Sequence, residues 1–496
     1  MTARAIMLQG TGSDVGKSVL VAGLCRVAKQ AGLTVAPFKP QNMSNNAHAC
    51  SDGGEIGRAQ AVQAQAAGVE PTVDLNPVLL KPETDRAAQV IVHGKVLARQ
   101  EASSFINSRD KLLPYVLQSF NRLSQQYDLI IVEGAGSPAE VNLRARDIAN
   151  MGFARTAGVP VSLIADIDRG GIIASLVGTQ RVLDPVDAAH IRSFIVNKFR
   201  GDPTLFEDGV RTIEQETGWA CHGVVPWLEA PRQLPAEDAV VLDRFNASET
   251  GTIKIVAPML PRMANFDDID PLRLDPSVSF DFVRPGQALP RDADVVLLLG
   301  TKSTIADLTF LRSQGWDHDL YAHARTGGYV MGICGGYQML GKEILDPDQI
   351  DGTSSQAIGL GLLDVTTKMT AQKRVQPVAA LSEASRLNLS AYEIHMGITT
   401  GPDTKRPLFL RDELADGAQT PSGRVQGTYL HGIFGNDEYR AWWLSQVRGA
   451  PVENFQYQNN VEAALDDLAA ALCQYCDVNA LLESAEPVGW HPAPDR

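Results

Sequence analysis

The chain has 496 residues, an ordinary balance of apolar and charged side chains, and a formal net charge of −14 at pH 7. Its length exceeds what one hydrophobic core holds, so two or three domains are expected. The acidic balance argues against a general nucleic-acid or membrane binder, leaving any anionic substrate to locally arranged cations and backbone N–H groups.

In chain order, Ala5 to Gly10 is an apolar strand, Thr11-Gly-Ser-Asp-Val-Gly-Lys-Ser18 turns, and Val19 to Ala31 has helical periodicity. No cleavable leader is expected, because the short apolar start runs straight into this glycine loop. Strand, glycine loop and helix make a phosphate cradle. Gly12 and Gly16 shape the loop, Lys17 reaches the terminal phosphates of ATP, and the Ser18 hydroxyl is a ligand for Mg²⁺. Thr11 stands where the strict pattern has glycine. The loop resembles that of dethiobiotin synthetase-like P-loop enzymes, which implies activation of a carboxyl group with ATP.

Thr34 to Pro40 reads as a second strand opening into Gln41-Asn-Met-Ser-Asn-Asn46. So many amide and hydroxyl groups at a strand's carboxyl end suggest a substrate loop through Gln41, Asn42, Ser44, Asn45 and Asn46. Glu55, before an alanine-rich helix, is a candidate metal ligand or substrate contact. Lys81, near the end of a strand from Leu75, and Arg86 are candidates for substrate carboxylates. Tyr127 to Val132 is an apolar strand ending in Glu133-Gly-Ala-Gly136, where a P-loop fold presents its second Mg²⁺-linked carboxylate. The strand from Val159 continues into Arg169, a candidate in a loop closing over substrate. Asn197 and Lys198 end a later strand, where resemblance to related P-loop folds implies base recognition by Asn197. Gly223 to Leu228 reads as the last strand of this domain.

Leu228 to Thr252 is rich in Pro, Ala, Glu and Asp without periodicity and reads as a linker. Beyond it, Asp294 to Leu299 is a buried strand opening into Gly300-Thr-Lys-Ser303. Its length is that of a strand and not of a membrane span. Tyr329 to Ile333 is another strand, leading into Cys334-Gly-Gly-Tyr-Gln338. Gly332-x-Cys334-x-Gly336 has the spacing of a nucleophile elbow with cysteine in place of serine. Arg424 to Leu430 ends in His431. A cysteine elbow with a strand-end histidine is the minimum set for thiol acyl transfer.

Resemblance to class I glutamine amidotransferases implies that Gly300 and Gly335 supply oxyanion N–H groups and that Gln338 belongs to the glutamine site. Most of those enzymes carry a glutamate two residues after the histidine, and here that position is Ile433. The expectation is therefore a Cys334/His431 dyad with its third member unassigned. His395, in Tyr392-Glu-Ile-His-Met-Gly397, has no chemical role on sequence grounds.

The cysteines at 25, 50, 221, 334, 473 and 476 form no disulfide framework, so a reducing cytoplasm is expected. Cys473-x-x-Cys476 lies in a helix-like run, Val461 to Leu482, without a second ligand pair, and reads as structural. That run and Asn436 to Val447 are expected to pack on the second domain, with a disordered tail from Glu486. The expected division is residues 1–235, a synthetase domain; 236–251, linker; 252–447, amidotransferase domain; and 448–496, helical segment and tail. The fold class is α/β: a doubly wound, mainly parallel P-loop sheet followed by a class I glutamine amidotransferase-like α/β domain.

The order of these motifs along nearly the whole chain resembles the glutamine-hydrolysing cobyric acid synthases of cobalamin biosynthesis. The resemblance implies ATP and Mg²⁺ as cofactors and glutamine as nitrogen donor. Its substrate would be adenosylcobyrinic acid a,c-diamide, amidated at the b, d, e and g carboxylates, with ammonia passing between two facing sites. The alternatives are a cobyrinic acid a,c-diamide synthase and a P-loop ATPase switch with an inert second domain.

Overall fold

The computed structural model describes residues 3–83, 87–101, 105, 109–235, 251–352, 354–411 and 414–489. Arg86 and residues 236–250 of the expected linker lie outside them. Two compact units divide the chain: Met1–Met43, Ile56–Leu234 and Val461–Arg496 form the first, and Ser44–Glu55 with Pro235–Asn460 form the second. Neither unit is continuous in sequence, unlike the expected division. No helix among the described residues is long and apolar enough to cross a membrane.

Strands buried on both faces read as unbroken apolar runs, which is what a parallel sheet between helical layers requires. In the first unit the parallel order is Ala220–Pro226, Ile191–Phe199, Val161–Asp166, Arg4–Gly10, Leu129–Glu133 and Val35–Phe38. Leu8 registers with Glu133 and Gly10 with Ile164, so the glycine loop and Glu133 emerge at the same carboxyl edge. Gln41–Met43, expected as loop, is instead a short strand. It pairs in parallel with Val78–Pro82, which continues antiparallel into Ala87–Val92 and Lys95–Glu101.

The long carboxyl-terminal helix, Tyr457–Tyr475, departs from expectation. Its stripe of Val461, Leu465, Leu468 and Leu472 is buried in the first unit, not the second. Gly23 on the helix Lys17–Gln30 permits the approach: a Cβ there would lie 2.5 Å from Leu472 Cδ1 and 2.9 Å from Leu468 Cγ. Arg26 pairs with Glu462 and, at 3.2 Å, with Asp466. Part of the expected disordered tail is also ordered, since Glu486–Pro487 pairs antiparallel with Arg4 and Ala5.

In the second unit the sheet order is Val278–Val283, Ile253–Pro258, Val295–Leu298, Tyr329–Ile333, Val425–Thr428 and Ala418–Gln419, parallel except for the last pair. A second sheet, absent from the sequence reading, is built on the long antiparallel strands Thr366–Ser382 and Asn388–Thr400. Leu430–His431 joins its edge, with Tyr392 opposite His431. The chain therefore leaves one sheet at Thr428 and enters the other at Leu430, which sets His431 at their junction.

Candidate active sites

In the first unit the glycine loop is held by specific contacts. Gly16 has φ 97°, and a Cβ there would lie 2.3 Å from Asn197 Nδ2, so only glycine fits. Asn197 Nδ2 donates to the Val15 carbonyl at 2.8 Å, bracing the loop. Gly12 accepts from Lys17 Nζ at 2.9 Å, and the Gly136 carbonyl lies 3.4 Å from the same ammonium. Lys17 thus bridges the loop and the turn after Glu133.

Glu133 is fully buried and accepts from Ser18 Oγ, Lys39 Nζ and Gln63 Nε2, each at 2.7 Å. Burying a carboxylate without such donors would be costly. The Ser18 hydroxyl and Glu133 carboxylate are hard oxygen donors set side by side, a donor set that fits Mg²⁺. Asn42 Nδ2 donates to Gln60 Oε1 at 2.8 Å, and Gln60 Nε2 reaches Glu133 at 3.4 Å, so Asn42 joins this web. Gln41 is buried, and its Oε1 has no hydrogen-bond partner among the described residues. Lys81 is buried on the neighbouring strand.

The remaining expected residues are Arg169, which faces Asp14 of the glycine loop, and four that belong to the second unit. Arg169 is an exposed side chain 3.6 Å from Asp14 and 3.8 Å from Asp166, a surface pairing of small energy. Ser44, Asn45 and Asn46 belong to the second unit, where Ser44 Oγ accepts from the Asn46 N–H at 3.0 Å. Glu55 also belongs there. Its buried carboxylate pairs with Lys373.

In the second unit Cys334 sits at φ 53°, ψ −110°, a conformation costly for a side-chain-bearing residue. The flanking glycines make the turn possible. A Cβ on Gly336 would lie 2.0 Å from the Leu298 carbonyl oxygen, and one on Gly332 would lie 2.7 Å from the Gly336 carbonyl. The Cys334 N–H donates to the Thr428 carbonyl at 2.8 Å, and its thiol lies 3.5 Å from the Ile394 carbonyl.

His431 is the third corner of a compact group with Cys334 and Gly300. A Cβ on Gly300 would lie 3.1 Å from His431 Cε1 and 3.6 Å from Cys334 Cβ. Gly335, the residue after the nucleophile, faces the same turn, since its own Cβ would meet Thr301 Cγ2 at 2.6 Å. His431 Nδ1 bonds Asp268 Oδ2 at 2.7 Å, while Asp268 Oδ1 accepts from the Gly432 N–H at 2.6 Å. Burial disfavours the charged imidazole, but Asp268 and Cys334 together outweigh it, so the His431 pKa is pushed up to about 10. With Nδ1 turned to Asp268, Nε2 is left for the thiol.

Asp268 is therefore the carboxylate that sequence reasoning did not find. It lies far upstream in Asn265-Phe-Asp-Asp-Ile269, with no spacing relation to His431. Gln338 is buried: Nε2 donates to the Met396 carbonyl at 2.9 Å and reaches Tyr429 Oη at 3.3 Å, and Oε1 accepts from Thr304 Oγ1 at 2.9 Å. It braces the wall of the site. His395 stacks on Tyr429 with ring centroids 3.8 Å apart and bonds Glu393 at 3.2 Å. Burial alone would raise the Glu393 pKa, but His395 and Arg411 hold it down at about 2.

Two family models match the chain. Residues 6–241 match the CobQ/CobB/MinD/ParA nucleotide binding domain, and residues 254–439 match the CobB/CobQ-like glutamine amidotransferase domain. A cobyric acid synthase of Hyphomonas neptunium is 60% identical over 494 residues, covering 100% of each chain. One from Rhizobium etli is 57% identical, covering 96% of this chain and 98% of the relative. One from a Ruegeria species is 56% identical, covering 99% of this chain and 100% of the relative.

Proposed function

The chain belongs to the cobyric acid synthase family, and from that premise we propose that it amidates peripheral carboxylates of adenosylcobyrinic acid a,c-diamide, at positions b, d, e and g, with ATP and glutamine. The observation that carries the reading is the Cys334, His431 and Asp268 arrangement beside the Gly300 turn.

In the second unit the Cys334 sulfur, its thiol proton passed to His431, attacks the carboxamide carbon of glutamine, forming a C–S bond. Backbone N–H groups at Gly300 and Gly335 take the developing oxyanion. As the C–N bond breaks, His431 delivers its proton to the leaving nitrogen and ammonia departs. Water then cleaves the thioester to glutamate and regenerates the thiol. Asp268 holds the imidazolium in register throughout.

In the first unit Lys17 and the loop N–H groups position the ATP phosphates, so that the γ-phosphoryl passes to a substrate carboxylate. Ammonia attacks the resulting acyl phosphate, phosphate leaves, and an amide remains. Ser18 and Glu133 would hold Mg²⁺, which neutralises phosphate charge when bound.

Incubating the protein with the a,c-diamide, ATP, Mg²⁺ and glutamine and reading product masses tests this. A ladder of added amides ending at four is expected. Amidation of cobyrinic acid alone, stopping at the a,c-diamide, would overturn the substrate assignment.

A further inference from the structure

Residues Ser44–Glu55 lie within the nucleotide-binding match in sequence, yet they fold with the second unit. Their attachment is specific. Asn265, held at φ 54°, pairs its side-chain amide with the Ala47 backbone in both directions: Oδ1 accepts from the N–H at 3.3 Å, and Nδ2 donates to the carbonyl at 3.1 Å. The next backbone N–H, of Phe266, donates to Asn46 Oδ1 at 3.2 Å. Asn46 and Asn265 are 1% and 3% exposed, so these bonds are made away from water, where a lost partner is costly. At the far end of the segment, Glu55 pairs with Lys373.

The turn held in this way is the one that carries Asp268. The Ala264 N–H donates to the Gly300 carbonyl at 2.8 Å, tying the turn to the expected oxyanion strand end. Asn265 Nδ2 also reaches Tyr392 Oη at 3.3 Å, and the Tyr392 ring stacks on His431 with centroids 5.2 Å apart and planes at 15°. His48 packs on the Tyr392 ring at 5.4 Å. One asparagine therefore joins the segment to both supports of His431: the Asp268 turn and the stacked tyrosine.

We infer that Asn265 and Asn46 are positioning residues for glutamine hydrolysis. The segment Ser44–Glu55, encoded within the nucleotide-binding half, fixes the turn that orients His431, so the glutaminase is complete only with this segment docked. Neither residue touches the reacting atoms; Asn265 acts through the Asp268 turn and Tyr392, and Asn46 through the Asp268 turn. The inference rests on the glutaminase reading of Cys334 and His431.

The test uses the full chain with Asn265→Ala and Asn46→Ala. Glutamine hydrolysis by Asn265→Ala is expected to lose about 10–10²-fold in kcat with little change in KM, because a misplaced base costs rate more than binding. The pH profile of Cys334 alkylation by iodoacetamide should shift, and amidation with ammonium salts should proceed at the wild-type rate. Asn46→Ala should lower hydrolysis and shift the alkylation profile in the same direction. Wild-type hydrolysis and an unchanged alkylation profile in both variants would overturn the inference. Loss of ammonia-dependent amidation by Asn265→Ala would also overturn it, since the damage would then be general. If wild type and Cys334→Ala hydrolyse glutamine equally, the glutaminase reading falls and takes this role with it.

Discussion

At His431 burial opposes two neighbours, and the neighbours win: the pKa rises from 6.5 to about 10 because Asp268 and Cys334 together outweigh desolvation. The upward shift favours the imidazolium, whose proton the proposed mechanism delivers to the leaving nitrogen. Asp268→Asn removes the charge while keeping the shape. Glutamine hydrolysis should fall by about 10²–10⁴-fold, as in other triads that lose their carboxylate, with its pH profile displaced; an unchanged profile would remove Asp268 from the mechanism. The same pair has a stability signature. A group whose pKa is raised on folding stabilises fully below its unfolded value, near 6.5, and loses that contribution as pH rises through about 10. Urea denaturation should therefore show the gap between wild type and Asp268→Asn closing from pH 6.5 towards pH 10. A gap that widened would contradict the assigned charge. Cys334 and His431 were legible in the sequence because glycine spacing and strand ends are local signals. Asp268 was not, because its relation to His431 exists only after two sheets have been brought together.

At the scale of elements, the parallel strands and the loops at their carboxyl ends were legible because strands buried on both faces leave continuous apolar runs. The long pair Thr366–Ser382 and Asn388–Thr400 was not, since residues such as Lys368, Gln372, Lys373 and Arg374 interrupt any such run. Register across that pair is set by the partner strand and cannot be read from either strand alone. The carboxyl-terminal helix shows a third case. Its apolar stripe was readable, but the surface it covers was not, because Gly23 contributes by lacking a side chain. Leu472→Ala should destabilise the protein by about 2–5 kcal/mol through lost burial and the cavity left behind. Urea denaturation measures this, and a change below about 0.5 kcal/mol would show that the helix does not seal the first unit.

At the scale of the whole molecule, the sequence order of the motifs was enough to place two chemistries on one chain, and the family membership agrees. The division into units was harder to read, because Ser44–Glu55 and Val461–Arg496 each fold with the half from which they are distant in sequence. Periodicity finds elements; it does not say which core receives them. The division of labour remains the central claim: Cys334 supplies nitrogen, while Lys17 serves the bond that defines the product. It is tested most directly by ATP-dependent amidation with glutamine or with ammonium salts, in Cys334→Ala and Lys17→Ala. Cys334→Ala should fail with glutamine and work with ammonia, whereas Lys17→Ala should fail with both. A folded Cys334→Ala protein that failed with ammonia, or a Lys17→Ala protein that still amidated, would contradict the account.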